Sequence, residues 1–111
     1  MYEPSKCLQT FNVSGFQYYD GALVLDQLKP GTPVQLRSEP DNPHDADAVA
    51  IYHESTKLGY IPRANTDPIS LLLYYGHTDV CEARILASRS DSDPWDQVRV
   101  GIYVTDRREE K

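Results

Sequence analysis

Ala48-Val49-Ala50-Ile51-Tyr52-His53-Glu54-Ser55-Thr56-Lys57-Leu58-Gly59-Tyr60-Ile61-Pro62 is the stretch whose reading decides the fold. Two short runs, Ala48–Tyr52 and Lys57–Ile61, are rich in aliphatic, β-branched and aromatic residues and read as strands. The interval His53–Thr56 is short enough for a hairpin, so the two strands run antiparallel. Pro62 closes the second run.

Outward from this hairpin, Pro33–Arg37 reads as the preceding strand, with Val34 and Leu36 on one face. Leu8–Val13 alternates apolar and polar and suits a half-buried strand ended by Gly15. Asp79–Ala87 and Gln97–Val104 supply two more strands, joined by the loop Ser88–Trp95. Ala22, Leu23, Leu25 and Leu28 are spaced like one face of a short helix. Asp20 is its candidate cap and Pro30-Gly31 its stop. Asn65-Thr66-Asp67-Pro68 opens a second helix carrying Ile69, Leu72 and Leu73. The order is β-α-β-β-β-α-β-β. Six short strands with only two helices cannot form a parallel sheet, so a mainly β, six-stranded antiparallel, curled or barrel-like sheet is expected.

The chain has 111 residues, 40% of them apolar, enough for one core and a single domain over 1–111. Seventeen acidic residues against eleven basic ones give a net charge of -6, which argues against coating nucleic acid by charge alone. A small local site that reads one end of a strand stays open. The longest apolar run, Ile69–Tyr75, is far below the roughly 20 residues that span a bilayer, so no membrane partner is expected. No basic stretch followed by an apolar one opens the chain, and Cys7 and Cys81 form no CxxC or zinc-ligand spacing. Two ordinary buried thiols in a cytoplasmic protein are the expectation.

The densest polar cluster is Glu39-Pro40-Asp41-Asn42-Pro43-His44-Asp45-Ala46-Asp47. One reading is a surface loop whose Asn and Asp side chains cap their own backbone. Another is weak divalent-metal binding through Asp41, Asp45 and Asp47, although the glycine and distal glutamate of a calcium loop are missing. No GxSxG, HExxH or phosphate-loop pattern is present, and no catalytic residue, cofactor or metal site is assigned. Eight tyrosines stand against two phenylalanines and one tryptophan. Tyr52, Tyr74, Tyr75 and Tyr103 suit the edge of a small core, whereas Tyr19 and Tyr60 equally suit an exposed stacking surface. Lys57 and Arg63 flank the end of the Lys57–Ile61 strand and could meet a phosphate or a neighbouring carboxylate.

Three ordered segments together resemble the HIRAN domain family. They are Phe11-Asn12-Val13-Ser14-Gly15-Phe16-Gln17-Tyr18-Tyr19, then Glu39–Ile51, then Lys57-Leu58-Gly59-Tyr60-Ile61-Pro62-Arg63. The resemblance covers about residues 8–104, leaving a charged tail at 106–111, and implies a modified OB-like barrel of the stand-alone bacterial or phage type. It also implies a non-enzymatic module that captures single-stranded DNA at a 3′-hydroxyl end, in the setting of DNA repair. A helicase, nuclease or other DNA-processing protein would be its partner. Tyr18 and Tyr19 would line the terminal nucleotide, and Asn42 and Asp45 would bond the 3′-hydroxyl. His44 stands where the family loop carries tyrosine, and Tyr60 takes the aromatic position after the strand glycine. Trp95 would offer a further stacking face, and Lys57 and Arg63 the cations. Gln17 stands where the family's DNA-remodelling ATPase carries arginine, which removes one expected phosphate contact. Two alternatives remain: a protein-interaction domain on an acidic barrel, and, more remotely, a metal-dependent hydrolase.

Overall fold

The computed structural model describes residues 7–93 and 96–108. Its strands are β1 (Cys7–Asn12), β2 (Pro33–Ser38), β3 (Val49–His53), β4 (Thr56–Tyr60), β5 (Cys81–Ser88) and β6 (Val98–Val104). They form one antiparallel six-stranded sheet in the order β1-β6-β5-β2-β3-β4. The sheet curls, and its two ends meet just beyond β1. There Ser14 and Tyr60 exchange both backbone hydrogen bonds, at 2.8 and 2.9 Å. The curled antiparallel sheet is what the order of elements predicts, and it is consistent with the OB-like barrel that the family resemblance implies.

Side chains on the inner face of the curled sheet form the core. Val98, Val100 and Ile102 of β6 point inward, as do Ala83 and Ile85 of β5 and Val49 and Ile51 of β3. Phe11, Val13, Leu28, Val34, Leu58 and Ile61 complete one continuous core. Fully burying an aliphatic side chain of this size is worth about 1.5–3 kcal/mol, so a one-residue slip of any strand would be heavily penalised.

The two connections differ in kind. Asp20–Gln27 winds as a 3-10 helix rather than the expected α-helix, and its N-cap is Tyr19, with Asp20 already in the first turn. Its apolar spacing is only partly used: Leu28, just past its end, is fully buried, while Leu23 is 79% exposed. Gly21 explains the tight path. A Cβ there would stand 2.2 Å from the ring of buried Phe16, so the helix lies directly on that ring. The second connection holds a short 3-10 turn, Arg63–Asn65, and then α1 (Ile69–Tyr74). Ile69 is buried, and Leu73 packs on the core beside β2 and β5. Those two strands pair only at Pro33↔Arg84 and Val34↔Ala83.

Some sequence expectations need correction. Cys7 is exposed and Cys81 half-buried, so neither is a buried core thiol. Tyr74 and Tyr75 do not edge the core: they are 59% and 69% exposed, with rings in edge-to-face contact at 5.0 Å. Tyr52 and Tyr103 lie half-buried on the outer sheet face, under the guanidinium groups of Arg37 and Arg84. No helix among the described residues is long and apolar enough to cross a membrane.

Candidate nucleic-acid interface

The seam of the barrel and the acidic loop build one open pocket of about 260 Å³. Ser14 and Tyr19 come from the segment after β1, Asn42, His44 and Asp45 from the loop after β2, and Tyr60 and Arg63 from the end of β4 and beyond. The Ser14–Tyr60 pairing holds the first and third segments in register.

The loop is shaped by its own side chains. Asn42 Oδ1 accepts the backbone N–H groups of His44 and Asp45 at 2.8 and 3.1 Å. Asp45 Oδ1 accepts the N–H of Asp47 at 2.9 Å. These are Asx turns, the self-capping geometry that such a sequence favours. Asn42 Nδ2 donates to Glu39 Oε1 at 3.1 Å and lies 3.4 Å from the Tyr60 hydroxyl. Asn42 therefore organises the loop from both ends of its amide. Asp45 lines the pocket, and its Oδ2 lies 3.5 Å from Arg63 Nε. Arg63 also donates to the carbonyl oxygen of His44 at 3.4 Å. Among the described residues no group of three or more His, Cys, Asp or Glu side chains is placed to hold a metal ion.

Behind the pocket lies a charged triangle. Lys57 Nζ donates to Glu39 Oε2 at 2.9 Å and to the Tyr60 hydroxyl oxygen at 2.6 Å, and that hydroxyl donates to Glu39 Oε1 at 2.7 Å. The same ammonium lies 4.8 Å from the centre of the Tyr19 ring and 4.4 Å from that of Tyr60. The two rings meet edge to face, 5.8 Å apart and inclined by 68°. Burial works against charge on both Glu39 and Lys57, but hydrogen bonding outweighs it. Glu39 is held below the ordinary carboxylate value by Lys57, Tyr60 and Asn42, and Lys57 is raised by Tyr60 and Glu39. The Tyr60 phenol is pushed up to about 12, by burial and by the Glu39 and Tyr19 hydrogen bonds, against the lowering effect of Lys57.

Most of the expected residues thus meet in one place: Tyr19, Asn42, His44, Asp45, Tyr60 and Arg63 as pocket walls, and Lys57 behind the two rings. Tyr18 does not line the pocket and is 77% exposed. Trp95 lies outside the described residues. Both cations face carboxylates, Lys57 with Glu39 and Arg63 with Asp45. Glu39 was missed as a site residue. Its only sequence signal is its place at the head of the loop motif, where a glutamate reads as a solvated charge.

Comparison with known proteins bears on the fold. The structure is similar to that of a protein from Lactobacillus plantarum, with TM-score 0.66 and 24% identity over 90% of this chain and 97% of that one. It is also similar to the HIRAN domain of human HLTF, with TM-score 0.69 and 14% identity over 86% of this chain and 73% of that one. Among curated proteins none matches the chain. The HIRAN domain model matches residues 7–106, nearly the whole sequence, and the chain accordingly belongs to the HIRAN domain family, a family of nucleic-acid-binding modules.

Proposed function

We propose that the protein is a binding module, not an enzyme, and that its pocket takes the 3′-hydroxyl end of single-stranded DNA. The observation that carries this reading is the convergence of aromatic walls from Tyr19 and Tyr60 with the Asp45 carboxylate in one open pocket of about 260 Å³. An aromatic face stacks on any base, which is how single strands are held without sequence readout. An ionised carboxylate accepts a hydroxyl proton strongly and repels a terminal phosphate. Asp45 Oδ2 is the acceptor for the terminal hydroxyl, Arg63 the cation for the adjoining phosphate, and Asn42 the residue that fixes the loop.

Little of the affinity comes from charge. The two cations at the site are matched by two carboxylates, and the whole chain carries -6. The same balance favours a second reading, a protein-interaction surface on an acidic barrel with a DNA-processing protein as partner. Fluorescence anisotropy with a labelled single strand and the matching blunt duplex separates the two. The DNA reading expects the single strand to bind and the duplex to bind at least tenfold more weakly. Absence of binding to either at low salt favours the protein partner.

A further inference from the structure

The charged triangle behind the pocket supports an inference about Lys57 that rests on the nucleic-acid reading but can fail separately from it. We propose that Lys57 is a positioning residue: its ammonium is held by Glu39 and the two tyrosines to fix the angle of the stacking walls, and it does not contact DNA phosphate.

Three observations carry this. Lys57 Nζ has two close oxygen partners, Glu39 Oε2 at 2.9 Å and the Tyr60 hydroxyl at 2.6 Å. Its remaining surroundings include the Tyr19 and Tyr60 rings, at 4.8 and 4.4 Å from their centres. An ammonium has three donors, and two are taken within the protein, with the aromatic faces beside them. Its side chain is 23% exposed, whereas that of Arg63, the other cation of the site, is 78% exposed. Lys57 is also absent from the pocket walls. A cation in this setting would have to leave a carboxylate, a phenol oxygen and the neighbouring Tyr19 ring to reach a phosphate. Held in place, it ties together the two rings, which come from distant segments of the chain.

Phosphate contact and positioning give opposite signs in one experiment. Glu39→Ala frees Lys57 and makes the site more positive. A phosphate-binding Lys57 would then hold single-stranded DNA more tightly. A positioning Lys57 loses its anchor, the rings lose their fixed angle, and binding weakens about threefold or more. The salt dependence supplies a second reading, because each phosphate neutralised on a single strand contributes about 0.7 to the slope of log K against log salt. Arg63→Gln is expected to lower that slope by about 0.7. Lys57→Met is expected to weaken binding about tenfold at every salt with the slope unchanged. Tighter binding by Glu39→Ala, or a lowered slope in Lys57→Met, overturns the proposal.

A third measurement needs no DNA. In proton–nitrogen spectra tuned to lysine ammonium groups, Lys57 is expected to give a slowly exchanging signal that is lost in Glu39→Ala. An ammonium exchanging as fast as that of exposed Lys29 overturns the proposal even if the protein binds no DNA. Failure of the unaltered protein to bind DNA would overturn the nucleic-acid reading alone.

Discussion

Gly59 lies so close to Ser14 that a methyl group on its Cα would stand 2.4 Å from the Ser14 carbonyl oxygen. That oxygen accepts the N–H of Tyr60 at 2.9 Å, so the contact is the seam where the two ends of the sheet meet. Gly59 also has φ +151°, a backbone conformation that side-chain-bearing residues rarely adopt. Closure of the barrel and placement of Tyr60 thus depend on one missing side chain.

Gly59→Ala should therefore open the seam. The expected destabilisation is about 2 kcal/mol or more, combining backbone strain with a clash against main-chain atoms that cannot rotate away. Urea denaturation followed by circular dichroism checks it, and a loss below about 0.5 kcal/mol would show that the seam tolerates a side chain.

The charged triangle predicts a pH profile. Glu39 is held below its ordinary value near 4.5, so its contribution to stability is present above that pH and fades as the pH falls through the lowered value. Tyr60 is raised from 10 to about 12, so its contribution is complete below pH 10 and fades as the pH rises toward 12. Lys57, also raised, acts in the same alkaline direction. Phenolate absorbance should show one late-titrating tyrosine that is missing in Tyr60→Phe. A titration in which Tyr60→Phe removes a tyrosine of ordinary pKa near 10 would contradict the triangle.

Tyr19 should matter for binding more than for folding. Its ring stands on Tyr60 and Lys57 at the pocket, outside the buried core. Tyr19→Ala is expected to weaken single-strand binding by about 1–3 kcal/mol, the cost of losing one base-aromatic stack. Melting temperature and anisotropy, measured together, check both halves. Unchanged affinity would remove Tyr19 from the interface.

The sequence made the strands legible through period-two alternation, as in Leu8–Val13, and through short runs rich in β-branched and aromatic residues, as in Ala48–Tyr52. The helix expected at Asp20–Gln27 became a 3-10 helix because periodicity reports which residues are apolar, not how tightly Gly21 must lie on Phe16. The pocket was legible through the loop and tyrosine motifs, but the triangle was not. Lys57 and Tyr60, three residues apart, would face opposite sides of a regular strand. The register shifts between them: Ile51 pairs with Gly59 while Tyr52 pairs with Lys57, which leaves Leu58 as an extra residue in β4. That bulge brings both side chains onto one face, where Glu39 joins them, and no pattern of apolar residues announces it.

The central claim is that the pocket reads a hydroxyl end, and one comparison tests it directly. The same single-stranded oligonucleotide is prepared with a 3′-hydroxyl and with a 3′-phosphate, and both are titrated by anisotropy at low and moderate salt. On the proposed reading the hydroxyl would gain a charge-assisted hydrogen bond to Asp45, worth about 1.5–3 kcal/mol, and the phosphate would lose it and meet a like charge. The hydroxyl end should bind about tenfold or more tightly, and Asp45→Asn should shrink the difference because an amide does not repel phosphate. Equal binding of the two ends by the unaltered protein, or a difference that survives Asp45→Asn undiminished, would contradict the account.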